Sequence, residues 1–324
     1  MIDRSSPGPV SSIDAAPARK PGWLKRPIAF TGRNVFTASR LAGSGLHTVC
    51  VEAKCPNKSE CWAHGTAAFL VMGAVCSRAC GFCDVGHGTP APLDEDEPRR
   101  LGETAKRLGL KHVVVTSVTR DDLADGGARH FARTVHTLRE MLPECTVEIL
   151  VPDFQGNVQA LEIVVKSKPN VFNHNIETVS RLYSLVRPQA SYGRSLEILI
   201  RAAREPGAMQ VKSGIMVGLG ETFEEVVRVL EDLRGAGCSM VTIGQYLQPS
   251  KAQIPVAEYI DPVIFQRYEE AGRSMGFAHV AAGPYVRSSY RAMELLGDDL
   301  LTSSHLPGRL AGLGWRGEVK RSMQ

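Results

Sequence analysis

The chain has 324 residues, of which 43% are hydrophobic and 22% charged, with a net charge of +4. This length and composition can bury a full hydrophobic core, as one large α/β domain with additions or as two smaller domains. A membrane helix is excluded because even the apolar run FLVMGAV has only seven residues, against about 20 required.

Residues 1–34 are rich in Pro, Ser, Ala and Arg without periodicity, which predicts a disordered tail. The tail lacks the apolar stretch of a secretory signal, so we expect a cytoplasmic protein. Its Arg and Ser content leaves an organelle transit peptide as an alternative, although the segment has little amphipathic pattern.

Positive charge is concentrated at the two ends. Residues 1–40 hold seven Lys/Arg and two Asp, and residues 301–324 hold four Lys/Arg and one Glu, so the part between them is slightly acidic. Basic ends could steer a negatively charged partner, or they could simply be solvated tails. Nucleic-acid binding is not expected because no aromatic platform accompanies the basic residues.

Residues 35–66 contain three cysteines, Cys50, Cys55 and Cys61, in a segment that looks irregular. Their spacing, CxxxxCxxxxxC, is moderately specific for a metal site when taken alone. Without a secretory signal, metal ligation is a better interpretation of close cysteines than a disulfide framework. Cys145 and Cys238 stand alone, as buried cysteines commonly do.

From residue 67 to residue 275 the pattern alternates between β-branched runs and helix-length amphipathic segments. The predicted strands are 69–75, 112–118, 146–152, 170–176, 211–218 and 240–246, and two of the predicted helices are 128–142 and 221–237, the second with Val226, Val227, Leu230 and Leu233 on one face and a Gly at its end. This alternation predicts a parallel sheet, either an open doubly wound sheet or a partial (βα)6 barrel. In a barrel the loops after the strands form one rim, and CSRACGFC, TSVTRDDLADGG, NIET, GLGET and QYLQPS all follow strands.

The rim loop CSRACGFC contains a second trio, Cys76, Cys80 and Cys83. Thiolates suit zinc, copper(I) or iron–sulfur clusters, but a structural zinc site usually pairs two CxxC turns, and no second matching turn exists here. Three cysteines suit a cubane cluster with one open iron, which S-adenosylmethionine could chelate. The CxxxCxxC spacing with Phe82 before the last cysteine resembles the signature of the radical SAM superfamily.

From about residue 23 to about residue 291 the chain closely resembles the lipoyl synthase family. The resemblance rests on CPNKSECW (55–62), CSRACGFCDV (76–85), TSVTRDDLADGG (116–127), HNIETVSRLYSLVRP (174–188), KSGIMVGLGET (212–222), TIGQYLQPS (242–250) and GPYVRSSYRA (283–292). It implies a partial (βα)6 barrel of the radical SAM type over 67–275, an extension over 35–66 for an auxiliary cluster, and a C-terminal segment, 276–324, that supplies a serine ligand.

The resemblance also implies the chemistry. Two [4Fe-4S] clusters are expected, one on Cys76, Cys80 and Cys83 that binds S-adenosylmethionine, and an auxiliary one on Cys50, Cys55, Cys61 and Ser289, with Ser288 as the fallback ligand. The implied reaction inserts sulfur at C6 and C8 of an octanoyl chain on a lipoyl-carrier protein, either a glycine cleavage H protein or a dehydrogenase E2 lipoyl domain. An electron donor is required. The sequence leaves the donor, the preferred carrier, the route of cluster repair and the oligomeric state open.

Four further residues are candidates for holding S-adenosylmethionine. Asn173, Asn175 and Glu177 alternate at the end of a predicted strand and so share a face, and Arg187 follows them. Structural hydrogen bonding is the competing interpretation. Arg120, Asp121 and Asp122 could contact the nucleoside or cap the helix that follows.

One position departs from the family pattern, in which a His often precedes Pro-Val after the QYLQPS-type motif. This chain has SKAQIPV, with Gln253 at that position. Three other functions remain open: a different radical SAM sulfur-inserting enzyme (biotin synthase-like or methylthiotransferase-like), a cluster-bearing electron carrier and a zinc-dependent interaction module.

Overall fold

A computed structural model of the chain describes residues 20–25, 32–63, 67–290 and 292. The strands are β1 His47–Thr48, β2 Ala68–Val71, β3 Val75–Cys76, β4 Gly86–His87, β5 His112–Ser117, β6 Thr146–Leu150, β7 Val171–Asn173, β8 Gln210–Val217, β9 Met240–Gln245 and β10 His279–Gly283. The helices are α1 Gly32–Ala42, α2 Val49–Glu52, α3 Lys58–Ala63, α4 Glu97–Leu108, α5 Ala128–Met141, α6 Val158–Lys166, α7 Tyr183–Val186, α8 Tyr192–Ala203, α9 Phe223–Gly235 and α10 Pro262–Ser274. Short 3-10 helices lie at Gly22–Leu24, Phe154–Gly156 and Ser180–Leu182.

All six predicted strands are present and lie side by side in one sheet, in the order β1-β2-β5-β6-β7-β8-β9-β10. The pairings from β2 to β10 are parallel, and β1 pairs with β2 antiparallel. The predicted mixed α/β fold with a parallel sheet is therefore confirmed. The strand β10 is a seventh parallel strand that the sequence pattern did not predict.

Helix α9 illustrates how the sequence sets an element. Thr222 accepts a hydrogen bond from the backbone N–H of Glu225, whose side chain accepts one from the Thr222 N–H in return, so the helix begins with a capping box. Gly237, at φ +88°, ends it in a conformation that favours glycine. The buried face contains Val229 instead of the predicted Val227, which is only half-buried.

The segment expected to be irregular, residues 35–66, is largely helical where it is described. It contains most of α1 together with α2 and α3, and the Thr37 hydroxyl donates to the Trp62 carbonyl, which joins α1 to α3. Of the predicted disordered tail, residues 1–19 and 26–31 lie outside the described residues. Leu24 is buried, and its carbonyl accepts a hydrogen bond from the Tyr285 hydroxyl at 2.6 Å.

Within the described ranges, no helix combines the length and the apolar character needed to cross a lipid bilayer. The proposed division at residues 34, 66 and 275 remains a prediction. The main hydrophobic core runs continuously from α1 and Cys50 in the N-terminal extension through the parallel strands to α10.

Candidate active site

The loop Cys76–Cys83 begins in β3, which pairs with β4 in a separate two-stranded sheet, and the Ser77 N–H donates to the carbonyl of Thr119, just after β5. The Cys76 sulfur accepts hydrogen bonds from the backbone N–H groups of Arg78 at 3.4 Å and Thr119 at 3.3 Å. The Cys83 N–H donates to the Cys80 carbonyl at 3.1 Å, which closes a tight turn. These backbone contacts fix the position of the Cys76 sulfur at the start of the loop.

Arg78, between the first two cysteines, anchors this loop to its neighbours. Its buried guanidinium donates two hydrogen bonds to Asp121 at 2.6 and 2.9 Å and one to Asp153 at 2.7 Å. Burial would raise the pKa of Asp153, but the Arg78 guanidinium outweighs it and lowers that pKa to about 2. A buried arginine paired with two carboxylates fixes the loop firmly, because displacing it would leave buried charges without partners.

The other end of the loop is held by a close backbone approach and by Gln253. A Cβ on Gly81 would lie 2.6 Å from the Ile254 side chain and 3.0 Å from the Leu185 carbonyl oxygen, so a larger residue would require its neighbours to shift. The Gly81 N–H donates to the Val186 carbonyl, and the Ile254 N–H donates to the Gly81 carbonyl. The Gln253 side-chain amide donates to the Cys83 carbonyl at 3.2 Å. The position at which the chain departs from the family pattern therefore contacts a cysteine of the loop directly.

The cysteine loop has the donor chemistry of an iron–sulfur site. Burial raises the pKa of Cys80 and raises that of Cys83 to about 12, so in the protein alone both remain neutral thiols. Arg187 acts against the increase at Cys80. Bound iron would supply the positive charge that makes buried thiolates stable, and the residues fit such a group.

The upstream cysteines line a shared cavity. Its lining residues are Cys50, Cys55, Asn57, Cys61, Ala68, Arg287, Ser289 and Tyr290. The three cysteines and Ser289 therefore meet, although Cys50 and Ser289 are more than 230 positions apart in the sequence. The buried Asn57 Oδ1 atom has no hydrogen-bond partner, as expected beside a site that takes a ligand.

The two neighbouring serines point in different directions. Ser289 lines the cavity with the cysteines, whereas the Ser288 hydroxyl donates to Asn175 Oδ1 at 2.9 Å. The Tyr290 hydroxyl donates to Glu60, one residue before Cys61, at 2.7 Å. These contacts favour Ser289 over Ser288 as the fourth donor of the upstream trio.

Two strand glycines make room for the C-terminal segment inside the barrel. A Cβ on Gly244 would lie 2.1 Å from the Val286 carbonyl oxygen, and one on Gly214 would lie 2.9 Å from the Ser288 hydroxyl. The Lys212 ammonium donates to the Ser288 carbonyl at 2.6 Å. The sequence pattern did not single out Lys212, Gly214 or Gly244, although two glycines within central strands are a recognisable signal of a close backbone approach.

The arrangement of these cysteines suits a cluster better than a single ion. Among the described residues, no group of three or more His, Cys, Asp or Glu side chains is arranged to hold one metal ion. In a cubane cluster each cysteine binds a different iron, so the sulfurs do not need to converge on one point.

The two cysteine loops are joined by an ion pair. Lys54, which precedes Cys55, contacts Asp84, which follows Cys83, with 2.5 Å between Nζ and Oδ2. The pair brings the residues next to Cys55 and Cys83 into contact.

Three of the four residues predicted to hold S-adenosylmethionine lie together. Asn175 Nδ2 donates to Glu177 Oε1 at 3.0 Å, and the Arg187 guanidinium donates to the Asn175 carbonyl at 3.0 Å. Burial raises the pKa of Glu177, whose backbone has a φ of +68°. The buried Arg187 Nε atom has no hydrogen-bond partner, so it can donate a hydrogen bond to a ligand.

Asn173 lies apart from these three. It is fully buried, and its side chain donates to Glu148 Oε1 at 2.9 Å, beside the ion pair between Glu148 and Lys212. Burial would raise the pKa of Glu148, but the charge of Lys212 outweighs it and lowers that pKa to about 2. The strand β7 ends at Asn173, so the alternating register does not continue to Glu177.

The acidic loop after β5 is held in place by ion pairs and hydrogen bonds. Arg120 pairs with Asp122 and donates to the Met72 carbonyl, while Asp121 binds Arg78. The expectation that these residues cap α5 is wrong, because Asp125 accepts from the N–H groups of residues 127 and 129 at the start of that helix. The sequence pattern alone does not show which of the neighbouring aspartates binds the N–H groups at the start of α5.

Comparison with known proteins defines the class first. Residues 70–233 match the family described as the radical SAM superfamily, to which the chain belongs. The fold resembles that of Streptococcus suis SuiB bound to precursor peptide SuiA, with a TM-score of 0.52 at 13% identity over 73% of this chain and 54% of that one. This superfamily implies a [4Fe-4S] cluster and S-adenosylmethionine.

Curated relatives identify the family within this superfamily. The chain is 58% identical over 274 residues to the lipoyl synthase of Caldanaerobacter subterraneus subsp. tengcongensis, covering 85% of this chain and 96% of the relative. It is 52% identical to the lipoyl synthase of Rubrobacter xylanophilus, covering 85% and 86%, and 50% identical to that of Alkaliphilus metalliredigens, covering 86% and 96%. The chain belongs to the lipoyl synthase family and is an enzyme.

Proposed function

We propose that this chain inserts two sulfur atoms, at C6 and C8, into an octanoyl chain carried on a lysine of a lipoyl-carrier protein. The observation that carries the proposal is the cavity in which Cys50, Cys55 and Cys61 meet Ser289, beside a separate cysteine loop of radical SAM spacing. An enzyme that only cleaves S-adenosylmethionine has no need of a second cysteine site.

The substrate explains the need for two sites. The C–H bonds of a fatty acyl chain have no acidic proton, leaving group or adjacent carbonyl, so side-chain acids and bases cannot open them. When bound, the first cluster with S-adenosylmethionine supplies a carbon radical that removes hydrogen, and the auxiliary cluster supplies sulfur. The protein contributes binding, orientation and exclusion of side reactions.

In the first site, Cys76, Cys80 and Cys83 hold three irons and leave the fourth for S-adenosylmethionine. Asn175, Glu177 and Arg187 lie beside this loop and supply amide, carboxylate and guanidinium groups for its polar atoms. The Gly81 N–H donates to the carbonyl of Val186, the residue before Arg187, so this loop and Arg187 are neighbours. Asn173 is bound to Glu148 instead and is not part of this group.

In the auxiliary site, Cys50, Cys55 and Cys61 hold three irons and the Ser289 oxygen holds the fourth. A serine alkoxide is a poor ligand for iron compared with thiolate, so the iron it holds is easily released. The weak ligand suits a cluster that gives up its sulfur. Arg287, which lines the same cavity, places a guanidinium near Cys55.

The partners follow from the reaction. The carrier is a glycine cleavage H protein or an E2 lipoyl domain, and an electron donor reduces the first cluster. A carrier with an acidic surface would be attracted by the basic ends of the chain. We place the enzyme in the cytoplasm.

Iron content tests the two-cluster proposal. Protein purified without oxygen and reconstituted should bind about eight irons per chain, four for each cubane. Iron near four would exclude the auxiliary cluster.

Variants of the two trios test their roles. Replacing Cys50, Cys55 or Cys61 with Ala should preserve formation of 5′-deoxyadenosine and abolish sulfur insertion into an octanoyl-lysyl peptide. Replacing Cys76, Cys80 or Cys83 with Ala should abolish both. If the intact enzyme forms 5′-deoxyadenosine but leaves the octanoyl peptide unchanged, the substrate assignment fails.

A further inference from the structure

Ser288 joins the two sites through its side chain and its backbone. Its hydroxyl donates to Asn175 Oδ1 at 2.9 Å, and its carbonyl accepts from the Lys212 ammonium at 2.6 Å. The next residue, Ser289, lines the auxiliary cavity. One peptide unit therefore connects a side chain of the proposed S-adenosylmethionine site with the proposed serine ligand.

The position of Ser288 is tightly restricted. A Cβ on Gly214 would lie 2.8 Å from Asn175 Oδ1 and 2.9 Å from the Ser288 hydroxyl, so the pair packs directly against the strand backbone. Lys212 is fully buried and also donates to both oxygens of Glu148, at 2.9 and 3.1 Å. A buried ammonium without partners costs much free energy. Lys212 therefore holds the Ser288 carbonyl firmly.

Asn175 is equally restricted on its other side. Its amide nitrogen donates to Glu177, and its backbone carbonyl accepts from Arg187. An amide oxygen has two lone pairs, and Ser288 occupies only one of those of Asn175. Any ligand that binds among Asn175, Glu177 and Arg187 therefore acts on the same amide group that positions Ser288.

We propose that Ser288 is a positioning residue that couples occupancy of the S-adenosylmethionine site to ligation of the auxiliary cluster by Ser289. The inference rests on the proposed function, because it requires both sites. When Ser289 is bound to iron, the Ser288 hydroxyl stays on Asn175 and orients its amide for the ligand. When Ser289 is released, the restraint on its side of Ser288 is lost and the hydrogen bond from the Ser288 hydroxyl to Asn175 weakens. Thermodynamic linkage makes the effect reciprocal.

The test is a double-mutant cycle on the reconstituted enzyme. The dissociation constant of S-adenosylhomocysteine, which is not cleaved, is measured by equilibrium dialysis for the unsubstituted enzyme and for Ser289→Ala, Ser288→Ala and the double variant. We expect Ser289→Ala to weaken binding about fivefold or more in the unsubstituted background and less than about twofold in the Ser288→Ala background. Equal changes in both backgrounds, or no change in the first, would overturn the proposal.

Two controls separate coupling from damage to the fold. Ser288→Thr keeps the hydroxyl and should restore the dependence on Ser289, whereas Ser274→Ala, at an exposed serine in α10, should leave all constants unchanged. The Ser289→Ala variant lacks the bond to iron whether or not it retains the auxiliary cluster, so the cycle gives an answer in either case.

The reverse direction gives a second measurement. S-adenosylhomocysteine should change the electron paramagnetic resonance spectrum of the reduced auxiliary cluster in the unsubstituted enzyme and leave it unchanged in Ser288→Ala. An identical response in both would contradict the coupling. Failure of the proposed function is recognised separately, as iron near four per chain in the unsubstituted enzyme before any ligand is added.

Discussion

Arg78 and Asp153 form a buried ion pair that ties the first cysteine loop to the loop after β6. The guanidinium donates to Asp153 Oδ1 at 2.7 Å, and the two side chains are only 4% and 0% exposed. The pair lies outside the cysteine pattern, yet it sets the position of that loop. Arg194 contacts the other oxygen of Asp153 at 3.0 Å, so the carboxylate is held on both sides.

Replacing Arg78 with Met should therefore destabilise the protein by about 3 kcal/mol, because Asp153 loses the buried partner on one side. Denaturant unfolding without oxygen measures the change. The double variant with Asp153→Asn should recover part of the lost stability, because the buried carboxylate of Asp153 is then absent. Arg99→Met, at an exposed arginine paired with Asp96, should show no measurable change. A loss for Arg78→Met as small as that of this control would contradict the anchoring role.

Replacing Gly244 with Ala should displace the C-terminal segment. The new methyl would lie 2.1 Å from the Val286 carbonyl oxygen, a distance that neither backbone can accept. We expect iron to fall from about eight to about four per chain, with 5′-deoxyadenosine formation retained. Gly235→Ala in α9, where nothing lies within 4 Å, is the matched control and should be neutral or slightly stabilising. Full iron content in Gly244→Ala would show that the segment is not needed for the auxiliary cluster.

Replacing Gln253 with Leu removes the hydrogen bond to the Cys83 carbonyl. A bond of this kind contributes about 1 kcal/mol, so the first cluster should lose iron to a chelator about fivefold faster. The measurement is made in a background with Cys50, Cys55 and Cys61 replaced by Ala, so that all iron belongs to the first site. Gln266→Leu, on the exposed face of α10, should leave the rate unchanged. An unchanged rate in Gln253→Leu would remove Gln253 from the site.

His174 should make stability depend on pH. Burial, reinforced by the charge of Arg187, lowers its pKa from 6.5 to about 4, so the folded protein holds it neutral. Below about pH 6.5, His174 takes up a proton in the unfolded chain but not in the folded chain. Stability therefore falls as pH decreases towards 4. Between pH 7.5 and 5 the loss due to this group should be about 2 kcal/mol.

His174→Asn provides the comparison. Asn can still donate to the Val151 carbonyl, which the His174 Nδ1 atom contacts at 2.8 Å, but it does not titrate. The variant is expected to be less stable overall and to lack that part of the pH dependence. Glu148 and Asp153, with pKa values of about 2, contribute equally to both proteins and only at lower pH. Parallel stability curves between pH 7.5 and 5 would contradict the assignment.

Local pattern predicted the strands well because each buried parallel strand is a short β-branched run. Residues 112–118 and 240–246 correspond to β5 and β9 within one or two residues. Local pattern failed where the place of a strand depends on the neighbouring strand with which it pairs. The strand β10, His279–Gly283, was missed because HVAAG carries little hydrophobic signal, and its place comes from pairing with β9.

The same distinction between local pattern and tertiary contacts applies to the candidate active site. The spacing of Cys76, Cys80 and Cys83 is local, so the sequence alone determined that one loop carries a cysteine trio suited to an iron–sulfur cluster. The choice between Ser288 and Ser289 was not local, since alternate side chains of one short segment point to different neighbours. Only the tertiary structure placed Ser289 among the upstream cysteines, Arg78 on Asp153 and Ser288 on Asn175. Each of these contacts joins residues distant in sequence, and packing of the whole barrel decides which of them can meet.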